Sequence, residues 1–255
     1  RELLGQETKL TRKLHDTARL HPQRVVFAEG GNPTMLKAAV QAKAEGICQP
    51  ILLGNPDRLN RVASRLKLDL SDIEIIDMRA DNEQGRRATF AKHLAEKRAR
   101  EGSRFAEADD KREERNYFGM SLVEQGDADA FITGLYTKYS NTIKVAKEVI
   151  GIRPEFKTFG TMHILNTQKG VFYIADTLIN RHPDEDVLTD IAKLSAHTVK
   201  FFNEEPVIAM LSYSNFGTDA AGSPVKVHKA VAEMQKVYPD LAIDGEMQVN
   251  YALNK

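Results

Sequence analysis

Twice near its start the chain places Asn-Pro directly after an apolar run that ends in glycine, at Asn32-Pro33 and at Asn55-Pro56. Asparagine caps the unpaired N–H groups of a helix start, and proline at the first helical position loses no hydrogen bond there. The runs in front, RVVFAEG over Arg24–Gly30 and PILL over Pro50–Leu53, have strand composition. Each therefore predicts a strand, a tight turn and a helix. Leu36, Ala39, Val40 and Ala44 form the first helical stripe, closed by Gly46; Leu59, Val62, Ala63 and Leu66 form the second. The alternation continues with strands over Ile73–Ile76 and Ala128–Thr133 and helices over 84–100, 107–125 and 140–150. A further helix over 7–20 precedes it. Strands separated by helices predict a parallel sheet covered on both faces, in a doubly wound order.

The pattern changes after Gly151. Thr158–Leu165 and Gly170–Ala175 flank the polar segment Asn166–Gly170 and read as an antiparallel hairpin. A helix over Asp184–Asn203, a buried apolar strand over Pro206–Ser212, a helix over Gly222–Val237 and a strand over Leu241–Met247 follow. The expected fold class is α/β, with two α/β domains of mainly parallel sheet and a cleft between them. The expected boundaries are 23–151 and 152–255, with 1–22 as a leading helix.

Charge excludes some partners. Thirty-six basic residues balance thirty-six acidic ones, so no global field recruits nucleic acid or an anionic membrane. The basic run Lys97–Arg104 is interrupted by Glu101 and reads as a solvated helix face. The single cysteine, Cys48, allows no disulfide within the chain and reads as a small buried hydrophobe. No apolar stretch approaches the ~20 residues of a membrane span, and a cytoplasmic location is expected. The chain starts without methionine inside an amphipathic pattern, which suggests a piece of a longer protein.

Three segments could carry chemistry. Thr133–Thr142 (TGLYTKYSNT) joins a strand's carboxyl end to a helix start, where unsatisfied N–H groups and the helix dipole favour an anion. Gly134 permits close backbone approach; Thr137, Ser140, Asn141 and Thr142 offer polar donors; Lys138 and Lys144 offer charge. Ser212–Thr218 (SYSNFGT) occupies the equivalent place after the apolar strand of the second domain, where ligands of open α/β sheets bind. From the pattern alone, an ordinary βα turn with a capping residue is the better explanation of each. Asp244-Gly-Glu246 reads as a strand-end turn or a cation site, and His163 as a core or interface residue. The third segment, Ala28-Glu-Gly-Gly31, reads as a tight turn without a dinucleotide fingerprint, and no Walker sequence or zinc-ligand spacing occurs.

As whole strings, RVVFAEG, QPILLGNP (Gln49–Pro56), FGMSLVEQGDAD (Phe118–Asp129), YSNTIKVAKEVIG (Tyr139–Gly151), VFYIADT (Val171–Thr177), EPVIAMLSYSNFGT (Glu205–Thr218) and DLAIDGEMQ (Asp240–Gln248) resemble the phosphate acetyl/butyryltransferase family. They fall in that family's order across most of the chain. The tyrosine-rich loop and the Ser-Asn-Phe-Gly segment resemble the branch fused behind a malic enzyme domain. The resemblance implies a phosphotransacetylase/isocitrate-dehydrogenase-like fold, a dimer or larger homo-oligomer, and a cleft that binds acetyl-CoA or CoA and phosphate. It implies a regulatory role toward the attached malic enzyme domain, or alternatively acetyl transfer between phosphate and CoA. NADP and Mg2+ or Mn2+ would belong to the malic enzyme domain. Carried over by residue, Thr133 and Gly134 match the family's Ser-Gly, and Thr142 a later hydroxyl. Lys144 stands where active members have a phosphate-binding arginine, and Arg98 aligns with a second arginine. Thr137, Ser140, Ser212, Ser214 and Asn215 complete the expected ligand set. Lysine for arginine exchanges a bidentate fork for a point charge. The family's catalytic Asp-Leu-Ser-Arg-Gly motif has no match before Lys255, so the expected chain is C-terminally truncated and carries no catalytic residue of its own.

Overall fold

The computed structural model describes residues 9–98, 115–136, 138–167 and 169–254, and the chain divides into two compact units, Arg1–Gly151 and Ile152–Lys255. In the first unit the described elements run α1 (Lys9–Leu20), β1 (Gln23–Phe27), α2 (Pro33–Ala44), β2 (Cys48–Leu53), α3 (Pro56–Leu66), β3 (Glu74–Ile76) and α4 (Gln84–Arg98). They continue with α5 (Arg115–Glu124), β4 (Ala130–Ile132) and α6 (Tyr139–Val149). The four strands form one parallel sheet in the order β3-β2-β1-β4.

Strand pleating explains why this sheet is covered twice. Successive side chains point to opposite faces. Phe27 and Leu52 accordingly pack with Met35, Leu36, Ala39, Leu59 and Ala63 of α2 and α3. Their neighbours Val26, Ile51 and Leu53 pack on the other side with Phe90 of α4 and with Phe118 and Leu122 of α5. Leu94, Tyr117, Met120, Val145 and Val149 then bind α4, α5 and α6 to one another. Both Asn-Pro pairs act as expected. Asn32 Oδ1 accepts from the N–H groups of Thr34 (2.8 Å) and Met35 (3.3 Å), and Asn55 Oδ1 from that of Arg58 (3.2 Å).

The chain leaves β1 for β2 and β3 on one side and returns to β4 on the other. The strand order therefore reverses between β1 and β4, and a crevice opens at such a reversal beyond the carboxyl ends of the strands. The loops after β1 and β4 both reach that point.

The second unit holds an antiparallel hairpin, β5 (Met162–Thr167) with β6 (Gly170–Ala175). Then come α7 (Glu185–Phe201), β7 (Val207–Leu211), α8 (Ser223–Val237), β8 (Ala242–Met247) and the short α9 (Val249–Ala252). β7 and β8 pair in parallel, and Ala192, Met234 and Ile243 centre a small core. Two expectations change here. The hairpin starts at Met162 rather than Thr158, because the backbone before it is drawn into a polar knot. The Asp176 carboxylate accepts from Thr161 N (2.9 Å), Thr161 Oγ1 (2.9 Å), Asn180 N (2.8 Å) and Asn180 Nδ2 (2.7 Å). The apolar strand after Pro206 is not buried: Val207 is 82% exposed and Leu211 47%, because β8 alone pairs with β7 among the described residues. Cys48 opens β2 and is half-buried against the α2–α3 core. No described helix is long and apolar enough to cross a membrane.

Candidate functional site

The crevice between β1 and β4 is built around a buried carboxylate. Glu29 stands in the turn two residues after the end of β1 and is 2% exposed. Its Oε1 lies 3.0 Å from Thr133 Oγ1 and accepts the Gly134 N–H at 3.2 Å. The Thr133 hydroxyl also stands 3.1 Å from Asn116 Oδ1 of α5, itself buried. Glu29 Oε2 is buried with no hydrogen-bond partner. The turn that carries Glu29 comes close to the sheet: a Cβ on Gly30 would stand 2.9 Å from Leu53 O, so only glycine fits. Gly134 has φ +132°, which an L side chain rarely adopts.

The same turn holds the far side of the loop. Asn32, while capping α2, donates from Nδ2 to Tyr136 Oη at 2.9 Å, and the Arg115 guanidinium lies 5.9 Å from the Tyr136 ring centre. The loop then enters α6 through Lys138, whose side chain makes no capping bond. The first turn of α6 bears Ser140 and Thr142. Thr142 Oγ1 is buried without a hydrogen-bond partner. A helix start that follows the carboxyl end of a strand can hold an anion.

Lys144 does not join this cluster. Its side chain is 65% exposed and its ammonium lies 3.9 Å from Glu148 Oε1, one turn further along α6 and away from the loop. Glu148 is held in turn by the Tyr117 hydroxyl. Thr137 and the Arg98 side chain lie outside the described residues. Lys97, the neighbour of Arg98, donates to Val149 O (2.6 Å), at the opposite end of α6 from the loop.

The second unit repeats the device. Glu246, at the end of β8, is 1% exposed, and its Oε1 accepts the N–H of Gly217 (φ +81°) in the loop after β7. That bond holds the Glu246 carboxyl below the usual glutamate range against the opposing effect of burial. Glu246 Oε2 has no hydrogen bond, and the His228 imidazole Nδ1 stands 3.6 Å away. Asn215 is committed internally: its Oδ1 accepts from Gln248 N (2.8 Å) and its Nδ2 donates to Gln248 Oε1 (3.2 Å). Ser212 and Ser214 keep buried hydroxyls without partners. Asp244-Gly-Glu246 is not a strand-end turn: it lies inside β8, with Asp244 and Gly245 opposite Ala209 and Met210 of β7, and among the described residues no group of three or more His, Cys, Asp or Glu side chains is placed to hold a metal ion. His163 lies on the exposed part of β5.

Sequence reasoning missed Glu29, Asn116 and Gln248 as organisers of these loops. One signal was present for Glu29, an acidic residue placed between the apolar run Val25–Ala28 and two glycines. Nothing local marked Asn116.

A family described as phosphate acetyl/butaryl transferase matches residues 9–255. The chain is 32% identical to an NADP-dependent malic enzyme of Salmonella typhimurium, over 92% of this chain and 31% of that protein. It is 34% identical to a phosphate acetyltransferase of the same organism, over 94% of this chain and 33% of that one. The chain therefore spans about a third of the length of these two relatives. In structure it is similar to a phosphotransacetylase from Streptococcus pyogenes, with a TM-score of 0.84, 29% identity and coverage of 95% of this chain and 74% of the other. A phosphotransacetylase from Staphylococcus aureus gives 0.83, 27%, 96% and 74%.

Proposed function

The chain belongs to the phosphate acetyl/butaryl transferase family, and we propose that it serves a longer NADP-dependent malic enzyme as an acetyl-CoA-binding regulatory domain that also joins its oligomer. The observation that carries this reading is the loop from Thr133 into α6. It lies at the reversal of strand order, enters a helix that the Lys138 side chain does not cap, and keeps Thr142 Oγ1 buried without a hydrogen-bond partner. That arrangement suits the phosphates or the acyl oxygen of acetyl-CoA.

Regulation is favoured over catalysis because three of the groups that acetyl transfer would use face carboxylates of the protein itself. In the transfer reaction the CoA sulfur bonds to the acetyl carbon of acetyl phosphate. Inorganic phosphate leaves, and the thiol proton passes to a base. The departing phosphate and the developing oxyanion need cationic or N–H donors. Here Gly134 N–H and Thr133 O–H face Glu29, and Lys144 faces Glu148. Acetyl-CoA would regulate only by binding one state of the whole enzyme more tightly than another, and the coupling would be reciprocal. NADP, the divalent metal and malate would be bound by the malic enzyme domain, outside this chain.

The second reading is an active phosphate acetyltransferase, supported by the names of most of the similar proteins. Two assays on the full-length protein separate the two. Malate-dependent NADPH formation that falls on adding acetyl-CoA, with no acetyl-CoA made from acetyl phosphate and CoA, is the expected result. Malate oxidation blind to acetyl-CoA together with rapid acetyl transfer would hand the domain to the second reading.

A further inference from the structure

We propose that Phe216, in the loop after β7, is a stacking platform for the adenine ring of acetyl-CoA. The inference rests on the ligand proposed above and adds the residue that would hold its nucleotide end, within the second unit. Phe216 has φ +45°, and among the described residues only Lys67 and Asn203 share a positive φ without being glycine. Those two follow the ends of α3 and α7, where a left-handed residue is routine. Phe216 ends no helix, and a bulky side chain in that region is strained. The strain is held in place by β8: the Phe216 N–H donates to Glu246 O (2.9 Å), and the next N–H, of Gly217, donates to Glu246 Oε1. Burial of the ring does not offset the strain, because Phe216 is 48% exposed.

The ring does not stand alone. Its centre lies 5.4 Å from that of Tyr251 at an interplanar angle of 75°, an edge-to-face pair. Such a pair engages at most one face of each ring, so each keeps a face that its partner does not cover. Tyr251 is exposed, as is Tyr213 of the same loop. The Tyr213 hydroxyl donates to Asp219 Oδ2 (3.0 Å), and its carbonyl accepts from Gln248 Nε2 (2.7 Å), so the loop is tied on both sides of Phe216. Exposed aromatic rings thus gather at the carboxyl ends of two parallel strands, where open α/β sheets take ligands. The Asn215 and Gln248 amides there are already paired with each other. Stacking on a purine needs no free polar partner, and it tolerates any flat base. Phe216 would touch the ligand directly; Glu246, which acts through the loop, is a positioning residue.

The test is calorimetric titration of three probes into the full-length parent, Phe216→Asn and Phe216→Tyr proteins. The probes are acetyl-CoA, AMP, and S-acetylphosphopantetheine, which is the same thioester without its adenosine part. Asparagine accepts a left-handed φ, so Phe216→Asn exchanges the Tyr251 contact for relief of strain and should melt within a few degrees of the parent. It should bind acetyl-CoA and AMP on the order of ten- to a hundredfold more weakly, and S-acetylphosphopantetheine as tightly as the parent does. Phe216→Tyr keeps a ring and should bind all three as the parent does. Acetyl-CoA binding that ignores Phe216→Asn, or that falls equally for the adenine-free thioester, overturns the inference and leaves the proposed function standing. Dissociation of the oligomer in Phe216→Asn with AMP binding unchanged, read by sedimentation velocity, gives these rings to a protein contact and also overturns it. A parent that binds AMP but not acetyl-CoA keeps the stacking site and overturns the proposed function, and a parent that binds neither overturns both.

Discussion

Gly119→Ala sets two effects of opposite sign against each other in helix α5. Alanine is the better helix former by about 0.5–1 kcal/mol, so on an exposed helix the change would stabilise. Here the new Cβ would lie 2.2 Å from Phe131 Cε2, 2.7 Å from Phe131 Cδ2 and 3.2 Å from Leu53 Cδ1. Carbon atoms pack at about 3.5–4.0 Å, so the Phe131 ring must retreat by more than 1 Å or α5 must lift off the sheet. That ring packs in both clusters on the α4–α5 face, and overfilled cores cost about 1–3 kcal/mol. The packing loss exceeds the helical gain. We expect a net destabilisation of about 1–2 kcal/mol, which lowers the melting temperature by roughly 2–8 °C for a chain of this size. Phe131 sits on β4 two residues before Thr133, so the same shift should disturb the crevice. Urea unfolding followed by far-UV circular dichroism, for Gly119→Ala, Phe131→Leu and the double variant, measures the coupling between the two positions. The smaller ring replacement should recover about 1 kcal/mol of the Gly119→Ala loss. A Gly119→Ala protein as stable as the parent would refute the reasoning, because the helix would then have room that the distances deny it.

Three further outcomes follow from single interactions. The Arg24 guanidinium bonds both Asp129 oxygens and holds that carboxyl down to about 2 from an ordinary 3.8. A depressed carboxyl contributes stability above its unfolded pKa, so the advantage of the parent over Asp129→Asn should be full above about pH 4 and fade as pH falls toward 2; a flat difference across that window would contradict it. Asp176→Ala leaves four donors without their acceptor at the base of the hairpin. It should cost about 1–3 kcal/mol and speed amide exchange in β5 and β6 before the rest of the chain. Burial pushes the Cys48 thiol above its usual value, so iodoacetamide at neutral pH should modify it on the order of tenfold more slowly than a free thiol, and denaturant should abolish the difference.

The fold was legible wherever the signal was local. Asn32-Pro33 and Asn55-Pro56 mark their helices because a cap acts within three residues. Val26 beside Phe27 and Ile51 beside Leu52 reveal a sheet buried on both faces because adjacent strand residues always face opposite ways. The site was legible only as a place. The sequence names Thr133, Gly134 and Thr142 as donors, yet whether a donor is available depends on partners far along the chain: Glu29 is about a hundred residues from Thr133. The direction of Lys144 was hidden for a related reason, since a long flexible side chain settles on the nearest carboxylate that the fold supplies. The strand after Pro206 reads as buried because composition reports apolarity, while burial depends on which neighbours arrive.

The central claim is that the start of α6 is a ligand site, and the most direct test is calorimetric titration of acetyl-CoA into the parent and Thr142→Val proteins. The account predicts saturable heat for the parent and affinity reduced about tenfold or more in Thr142→Val, both proteins melting within a few degrees of each other. Saturable binding that is indifferent to Thr142, or no binding at millimolar acetyl-CoA, would contradict it.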